Sequence, residues 1–243
     1  RLQFGDTTEA SGFNAVTYTG NGGTQAVNGV GFEPDMVWLK SRSAAYDHVI
    51  TDSVRGVEKQ IIPNKTDAES QDSGKGLTSF DSDGFTVTLG TSTSYNNSSQ
   101  TYVGWAWDAG TGSAASNTNG SITSTVKANT DYGFSIVSYT GNGTHGTIGH
   151  GLSGLDMVIV KDRSTAENWA VWHSGIPITQ YLRLNSTNAA ATPVRKRWND
   201  TSPTSTVFSV GDSADIGDRE VNHSGENYIA YCFAEKTGYS KFG

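Results

Sequence analysis

Apolar and polar residues alternate with a period of two along most of the chain, which is the pattern of half-buried β-strands. The clearest examples are Tyr102–Trp107 and Tyr228–Phe233, where large aromatic residues alternate with small ones. A tight turn is predicted at Phe80–Gly84, because aspartate and glycine are the residues that hairpin turns require. Further strands are predicted over Ala15–Tyr18, His48–Ile50, Phe85–Leu89, Trp169–Trp172 and Val207–Val210.

The segment Asp35–Arg42 predicts a further strand. Successive side chains of a strand point to opposite sides, so alternate residues share a face. One face carries Met36, Trp38, Lys40 and Arg42, and the other carries Val37, Leu39 and Ser41.

The chain contains an internal repeat. Phe13–Arg42 aligns without a gap on Phe134–Arg163 at a constant offset of 121, and both contain Tyr-Thr-Gly-Asn-Gly and Asp-Met-Val. The match returns at the last strand, where Tyr102–Trp107 pairs with Tyr228–Phe233 at an offset of 126. Such a match indicates two copies of one domain.

The strand pattern and the repeat together predict an all-β fold of two tandem antiparallel β-sandwich domains, jelly-roll or lectin-like. The two sandwiches are expected to follow one another as a rod. The predicted division is a lead-in over 1–11, repeat 1 over 12–110, a linker over 111–131, repeat 2 over 132–235 and a lead-out over 236–243.

Charge and cysteine content narrow the class of protein. Lys and Arg total 17 against 24 Asp and Glu, a net charge of −7, which disfavours a nucleic-acid partner. The single cysteine, Cys232, cannot form a disulfide framework within one chain. No apolar segment reaches the roughly 18–20 residues of a membrane helix, so no membrane insertion is expected.

The second repeat resembles the repeated tail-fibre-type domain found in structural proteins of marine bacteriophages, including cyanophages. The resemblance covers nearly the whole chain, although the first repeat has Gly29–Gly31 in place of His150–Leu152 and Asp52 in place of His173. The segments that carry it are Tyr139–Gly143, His150–Leu152, Asp156–Arg163, Trp169–His173, Tyr181–Asn185 and Tyr228–Gly243.

This resemblance implies a virion appendage protein that is homo-oligomeric, contacts other virion proteins and has no assigned enzymatic activity. It locates no binding site.

Few residues suggest catalytic or metal chemistry, and no cofactor is expected. Asp81 and Asp83 have the Asp-x-Asp-Gly spacing of calcium loops, but the bidentate glutamate of an EF-hand does not follow, so a plain hairpin turn is favoured over a metal site. Cys232 takes a small-residue position of the last strand, which favours a packed, unreactive thiol.

Ligand contacts are expected from aromatic residues in polar loops and from repeated basic residues. Tyr46 and Tyr95 lie in such loops and are candidates for stacking on sugar rings. The repeated pairs Lys40/Arg42 and Lys161/Arg163 are candidates for an anionic glycan, with structural ion pairs as the favoured alternative. Trp105, Trp107 and Trp198 are expected in the core.

The function expected from these features is that of a non-enzymatic virion structural protein, in a tail fibre or related appendage, that attaches to host surface polysaccharide. Two alternatives stay open: an architectural spacer or capsid decoration protein, and a polysaccharide-degrading tail enzyme with two carboxylates facing one groove. Because repeated presentation raises the affinity of weak sites, a homo-oligomer is expected, and a trimer from the resemblance.

Overall fold

A computed structural model describes residues 12–90, 94–192, 196–213 and 219–243 of the chain. The protein is all-β, and the described strands form five antiparallel sheets, which confirms the predicted sandwich class. The predicted lead-in over 1–11 lies outside the described residues.

The described residues of the first half form nine strands in three sheets. A four-stranded sheet has the order β1-β9-β3-β4, a three-stranded sheet the order β2-β8-β7, and β5 pairs with β6. These strands are β1 (Phe13–Thr19), β2 (Thr24–Asn28), β3 (Met36–Ser41), β4 (Val49–Asp52), β5 (Lys59–Gln60), β6 (Ser70–Gln71), β7 (Gly76–Asp81), β8 (Gly84–Thr88) and β9 (Thr101–Trp107).

The second half contributes a seven-stranded sheet of order β10-β11-β12-β18-β14-β15-β16 and the pair β13-β17. Its strands are β10 (Ala115–Asn117), β11 (Ser124–Asn129), β12 (Phe134–Thr140), β13 (Gly146–Gly149), β14 (Met157–Asp162), β15 (Ala170–His173), β16 (Leu182–Arg183), β17 (Val207–Val210) and β18 (Asn227–Phe233).

The strand order of the first half recurs in the second. The order β1-β9-β3-β4 corresponds to β12-β18-β14-β15, and the pair β2-β8 corresponds to β13-β17. The segment 111–131, expected as a linker, instead forms β10 and β11, which extend the large sheet beyond β12. The polar residues of β10 fit its place at the edge of the sheet, where one side of the backbone meets water, whereas β11 is paired with β10 and β12.

The two halves pack face against face, so the expected rod of two sandwiches in series is wrong. A first core, including Leu39, lies within the first half, and a second core, including Phe208, lies within the second. A central core joins Met36 and Ile50 of the four-stranded sheet to Ile159 of the seven-stranded sheet. The two-sided apolar pattern of β3 is thereby explained, because its Val37/Leu39 face packs inside its own half and its Met36/Trp38 face meets the other half.

The repeated Tyr-Thr-Gly-Asn-Gly turns are held by two buried asparagines, Asn96 and Asn222. Each accepts a hydrogen bond at 3.0 Å from the backbone N–H of the turn asparagine, Asn21 or Asn142. The Asn96 amide also donates to the carbonyl of Gly23 at 2.9 Å. The motif that carries the repeat therefore has a structural role in both halves.

The predicted hairpin at Phe80–Gly84 is present, with Asp81 opposite Gly84 in the β7–β8 pair. Gly84 has a φ of 155°, and a Cβ placed there would lie 2.0 Å from the carbonyl oxygen of Val27. Glycine is thus required by both conformation and space.

The segment 236–243, expected as a lead-out, folds back on the second half. The ring of Phe242 lies 6.3 Å from that of Phe233 and 6.0 Å from that of His173. The ring of Tyr239 lies 5.0 Å from that of Tyr132.

Candidate functional site

The two loop tyrosines proposed as ligand contacts have structural partners. Tyr95 is only 2 % exposed and packs in the first core, so the expectation that it faces solvent is wrong. Tyr46 is half-buried, and its hydroxyl accepts a hydrogen bond from the Asn97 amide at 2.8 Å. The two tyrosines hold loops in place rather than forming one ligand surface.

The repeated basic residues also act mainly within the fold. The Lys161 ammonium is buried and donates to the carbonyls of Asp162 at 2.7 Å and Thr66 at 3.1 Å. The corresponding ammonium of Lys40 donates to the carbonyl of Ser41 at 2.7 Å. Both lysines therefore have a structural role, but their partners are backbone carbonyls rather than the acidic side chains of the expected ion pairs.

Arg163 makes a bidentate ion pair with Glu69 of the first half, at 2.9 Å to each carboxylate oxygen. This contact joins the two halves. Arg42, its counterpart in the first repeat, is exposed. The four basic residues therefore do not form a common anion site.

The residues weighed for metal or thiol chemistry have structural roles too. The Asp83 carboxylate accepts the backbone N–H groups of Gly29 and Gly31, and that of Asp81 accepts the hydroxyls of Ser79 and Thr86. Over the described ranges, no three side chains of metal-ligating type are grouped. Cys232 is fully buried, and burial raises the pKa of its thiol well above the usual range.

A cleft runs between the four-stranded sheet and the seven-stranded sheet. Three large apolar side chains are exposed in the described part of the chain, Phe13, Leu184 and Tyr239, and all three line this cleft. Exposed apolar surface concentrated in a concave region is typical of a binding site. The cleft has a polar end and an aromatic end, which meet at Trp38.

The polar end is a groove of about 340 Å³ built by both halves. Its side chains are neutral amides and hydroxyls beside one indole ring and an imidazole, a combination that suits ligands with many hydroxyl groups. The lining residues are Trp38, His48, Pro63, Asn64, Leu184, Asn185, Ser186 and Thr187.

Hydrogen bonds fix this end. The indole Nε1 of Trp38 donates to Nδ1 of His48 at 2.9 Å, and the Asn64 side chain accepts from the His48 backbone N–H at 3.0 Å. The Asn185 side chain accepts from the backbone N–H of Trp169 at 3.0 Å. The groove is therefore formed by side chains that are already held in position.

A difference between the two repeats opens the groove. His48 takes the position that Trp169 holds in the second repeat. Trp169 is completely buried, and its indole donates to the carbonyls of Ile62 and Lys65. The smaller, half-buried imidazole of His48 leaves space beside Trp38, which becomes the floor of the groove.

The aromatic end is a groove of about 380 Å³ with an almost entirely apolar lining. Most of its lining comes from rings of both sheets and of the C-terminal segment. The larger side chains are Phe13, Trp38, Trp107, Tyr132, Phe134, Met157, Ile159, Phe233, Tyr239 and Phe242. Trp107, expected in the core, is partly exposed here, whereas Trp198 is buried as expected.

His48 is expected to stay neutral at the pH of ordinary assays. Burial, followed by the positive charge of Lys40, lowers its pKa below the ordinary value of 6.5, and the opposing effect of Asp47 is weaker. Because the Trp38 indole can only donate, Nδ1 accepts and the neutral ring carries its proton on Nε2.

An NMR titration of the His48 ring protons is therefore expected to give a pKa below 6.5. The contribution of neutral His48 to the free energy of unfolding is fully present above pH 6.5. It declines as the pH falls from 6.5 to the lower pKa of the folded protein, because His48 is protonated first in the unfolded chain. A His48→Gln variant should lack this part of the pH dependence. A titration midpoint at or above 6.5 would contradict the described environment.

A second depression, of about 440 Å³, contains Glu33, Asp35 and Asp108. Asp35 accepts hydrogen bonds from Ser53 at 2.6 Å and from the Ala109 backbone at 2.9 Å, and pairs with Lys127 at 2.6 Å. Asp156, the matching residue of the second repeat, likewise accepts from the backbone of Glu235 at 2.7 Å. The repeated Asp-Met-Val aspartate therefore anchors the chain after the last strand of each repeat.

Sequence reasoning missed the groove because its residues come from four separate segments. The sequence could have pointed to Trp38, because this residue lies on a strand whose two faces both carry apolar side chains. No sequence pattern distinguishes Asn64 or the loop 184–187, because polar loop residues are common throughout this chain.

Comparison with protein families gives a match over nearly the whole chain. The model of a family described as a domain of unknown function (DUF7483) matches residues 8–243. The searches of curated proteins and of solved structures returned no match. Within the described residues, no helix has the length and apolar character needed to cross a membrane.

Proposed function

We propose that this chain, which belongs to the family described as a domain of unknown function (DUF7483), is a non-catalytic virion protein. In this proposal it forms part of a bacteriophage tail fibre or related appendage and attaches to glycan on the host cell envelope. The phage assignment rests on the resemblance of the second repeat to tail-fibre-type domains.

The observation that carries the binding role is the polar end of the cleft. An indole ring beside fixed amides and hydroxyls matches the two surfaces of a sugar, an apolar ring face and a rim of hydroxyl groups. All its lining side chains are neutral when His48 is unprotonated, so the groove favours neutral sugars over anionic ones.

Purified protein is expected to bind envelope polysaccharide from a marine cyanobacterium, freed of lipid, in a calorimetric titration. Trp38→Ala should weaken binding about tenfold, the magnitude that corresponds to about 1.4 kcal/mol for loss of a ring contact. Tyr46→Phe is the matched control, because Tyr46 is a half-buried aromatic residue outside the cleft, and it should bind as the wild type does.

The same incubation tests the alternatives. Chromatography of the polysaccharide afterwards should show unchanged chain length, and shortened chains would favour the degrading enzyme. If the wild type binds no polysaccharide, the attachment role fails and the architectural spacer or decoration protein is favoured.

Within the same proposal the protein assembles as a homotrimer, because weak sites gain affinity when several are presented together. The number three follows from the tail-fibre resemblance. Light scattering coupled to chromatography should give three times the mass of one chain. A single-chain mass would contradict the trimer without affecting the glycan proposal.

A further inference from the structure

We infer that the whole cleft binds one amphipathic ligand, a sugar that carries a hydrocarbon chain, either alkyl or acyl, with the sugar at the polar end and the chain at the aromatic end. This inference rests on the proposed function and specifies its ligand class.

The two ends form one continuous feature. Trp38 lines the polar groove on one side and the aromatic groove on the other. Between them lies a narrow gap that shares Leu184 with the polar end and Trp107 and Phe233 with the aromatic end. A single ligand lying along the boundary between the two halves would therefore pass over Trp38.

The chemistry of the ends differs sharply. The aromatic end presents mainly Phe, Trp, Met and Ile side chains, and only Tyr132, Tyr239 and Ser240 add hydroxyl groups, so it offers a sugar few hydrogen-bond partners. Hydroxyl groups placed there would lose their bonds to water without replacement, whereas an acyl chain would gain by leaving water. The amides and hydroxyls at the polar end suit a sugar and would be left unpaired by a purely apolar ligand.

The aromatic end also presents exposed ring surface that a hydrocarbon chain would cover. Phe13 is 37 % exposed and Tyr239 is 41 % exposed, and both line this end. The polar groove that continues from these rings favours an amphipathic ligand over a purely apolar one.

The probes are dodecyl maltoside below its micellar concentration, maltose and dodecanoate, titrated calorimetrically against the intact chain. Dodecyl maltoside is expected to bind at least tenfold more tightly than either of the other two. Tyr239→Ala and Phe242→Ala should each weaken dodecyl maltoside binding several-fold and leave maltose binding unchanged. Ser186→Ala combined with Thr187→Val should weaken both maltose and dodecyl maltoside binding.

Three results would overturn the inference: equal affinity for dodecyl maltoside and maltose, equal affinity for dodecyl maltoside and dodecanoate, or no effect of the aromatic-end variants. A doubled chain mass that Tyr239→Ala returns to a single chain, with dodecyl maltoside binding unchanged, would assign that end to a second copy instead. If lipid-free polysaccharide still binds in any of these cases, the proposed function stands, and only the inference that a hydrocarbon chain binds at the aromatic end fails.

Discussion

Replacing Arg55 with methionine is expected to lower the free energy of unfolding by about 3–5 kcal/mol, because it leaves a buried carboxylate without its counter-ion. The side chains of Arg55 and Asp52 are both completely buried and pair at 2.5 Å. Arg55 also pairs with Glu69 at 3.1 Å, and Tyr231 of the second half donates to Asp52 at 2.7 Å. Urea denaturation followed by tryptophan fluorescence measures the loss.

Two variants make this test specific. The double variant Asp52→Leu with Arg55→Met removes both charges and should be more stable than Arg55→Met alone. Lys65→Gln breaks the ion pair with Asp47, whose side chains are 48 % and 33 % exposed, and should leave the unfolding free energy nearly unchanged. A small loss in Arg55→Met, similar to that in Lys65→Gln, would contradict the buried network.

Replacing Trp169 with alanine is expected to cost about 3–5 kcal/mol, since it empties a large volume in the central core. Trp169 is 0 % exposed, and its indole donates at 3.1 Å to the carbonyls of both Ile62 and Lys65 in the first half. The variant therefore weakens the packing of one half on the other. Urea denaturation measures the cost, and faster proteolysis within the loop 62–65 is expected to accompany it.

The matched control for Trp169 is His48, the residue at the same place in the first repeat. His48→Ala should be much less destabilising, because the imidazole is half-buried and borders the groove. Trp169→Phe should fall between the two alanine variants, since it keeps most of the volume and loses the two hydrogen bonds. If His48→Ala and Trp169→Ala lowered the free energy of unfolding equally, the expected difference in packing between the two positions would be contradicted.

The unfolding measurements separate structure from binding. Trp38 lines both ends of the cleft, and its ring centroid lies 5.9 Å from that of His48 and 6.4 Å from that of Trp105. A Trp38→Ala variant that keeps its cooperative unfolding but loses glycan affinity would assign the loss to the groove.

The sequence by itself predicted the repeat, the main apolar strands and their two faces, but not the polar strands β10 and β11 of the expected linker. These are local properties, since a period of two fixes which side chains share a face wherever a strand forms. The two apolar faces of β3 and the alternating aromatic residues of β9 and β18 could therefore be read directly. The repeated asparagine of the turn and the repeated aspartate of Asp-Met-Val have structural roles, because each repeat closes the same turn and anchors the chain after its last strand.

Only the tertiary structure decided which sheets face each other and what lies between them. The cleft depends on contacts between distant segments, such as Trp169 with the Ile62 carbonyl, 107 positions away. Strand periodicity sets no distance between such segments, so it could not show that the central core closes over Ile159 and stays open beside Trp38. For the same reason the burial of Tyr95 could not be predicted, because it lies in a polar loop and is covered by residues distant in the sequence.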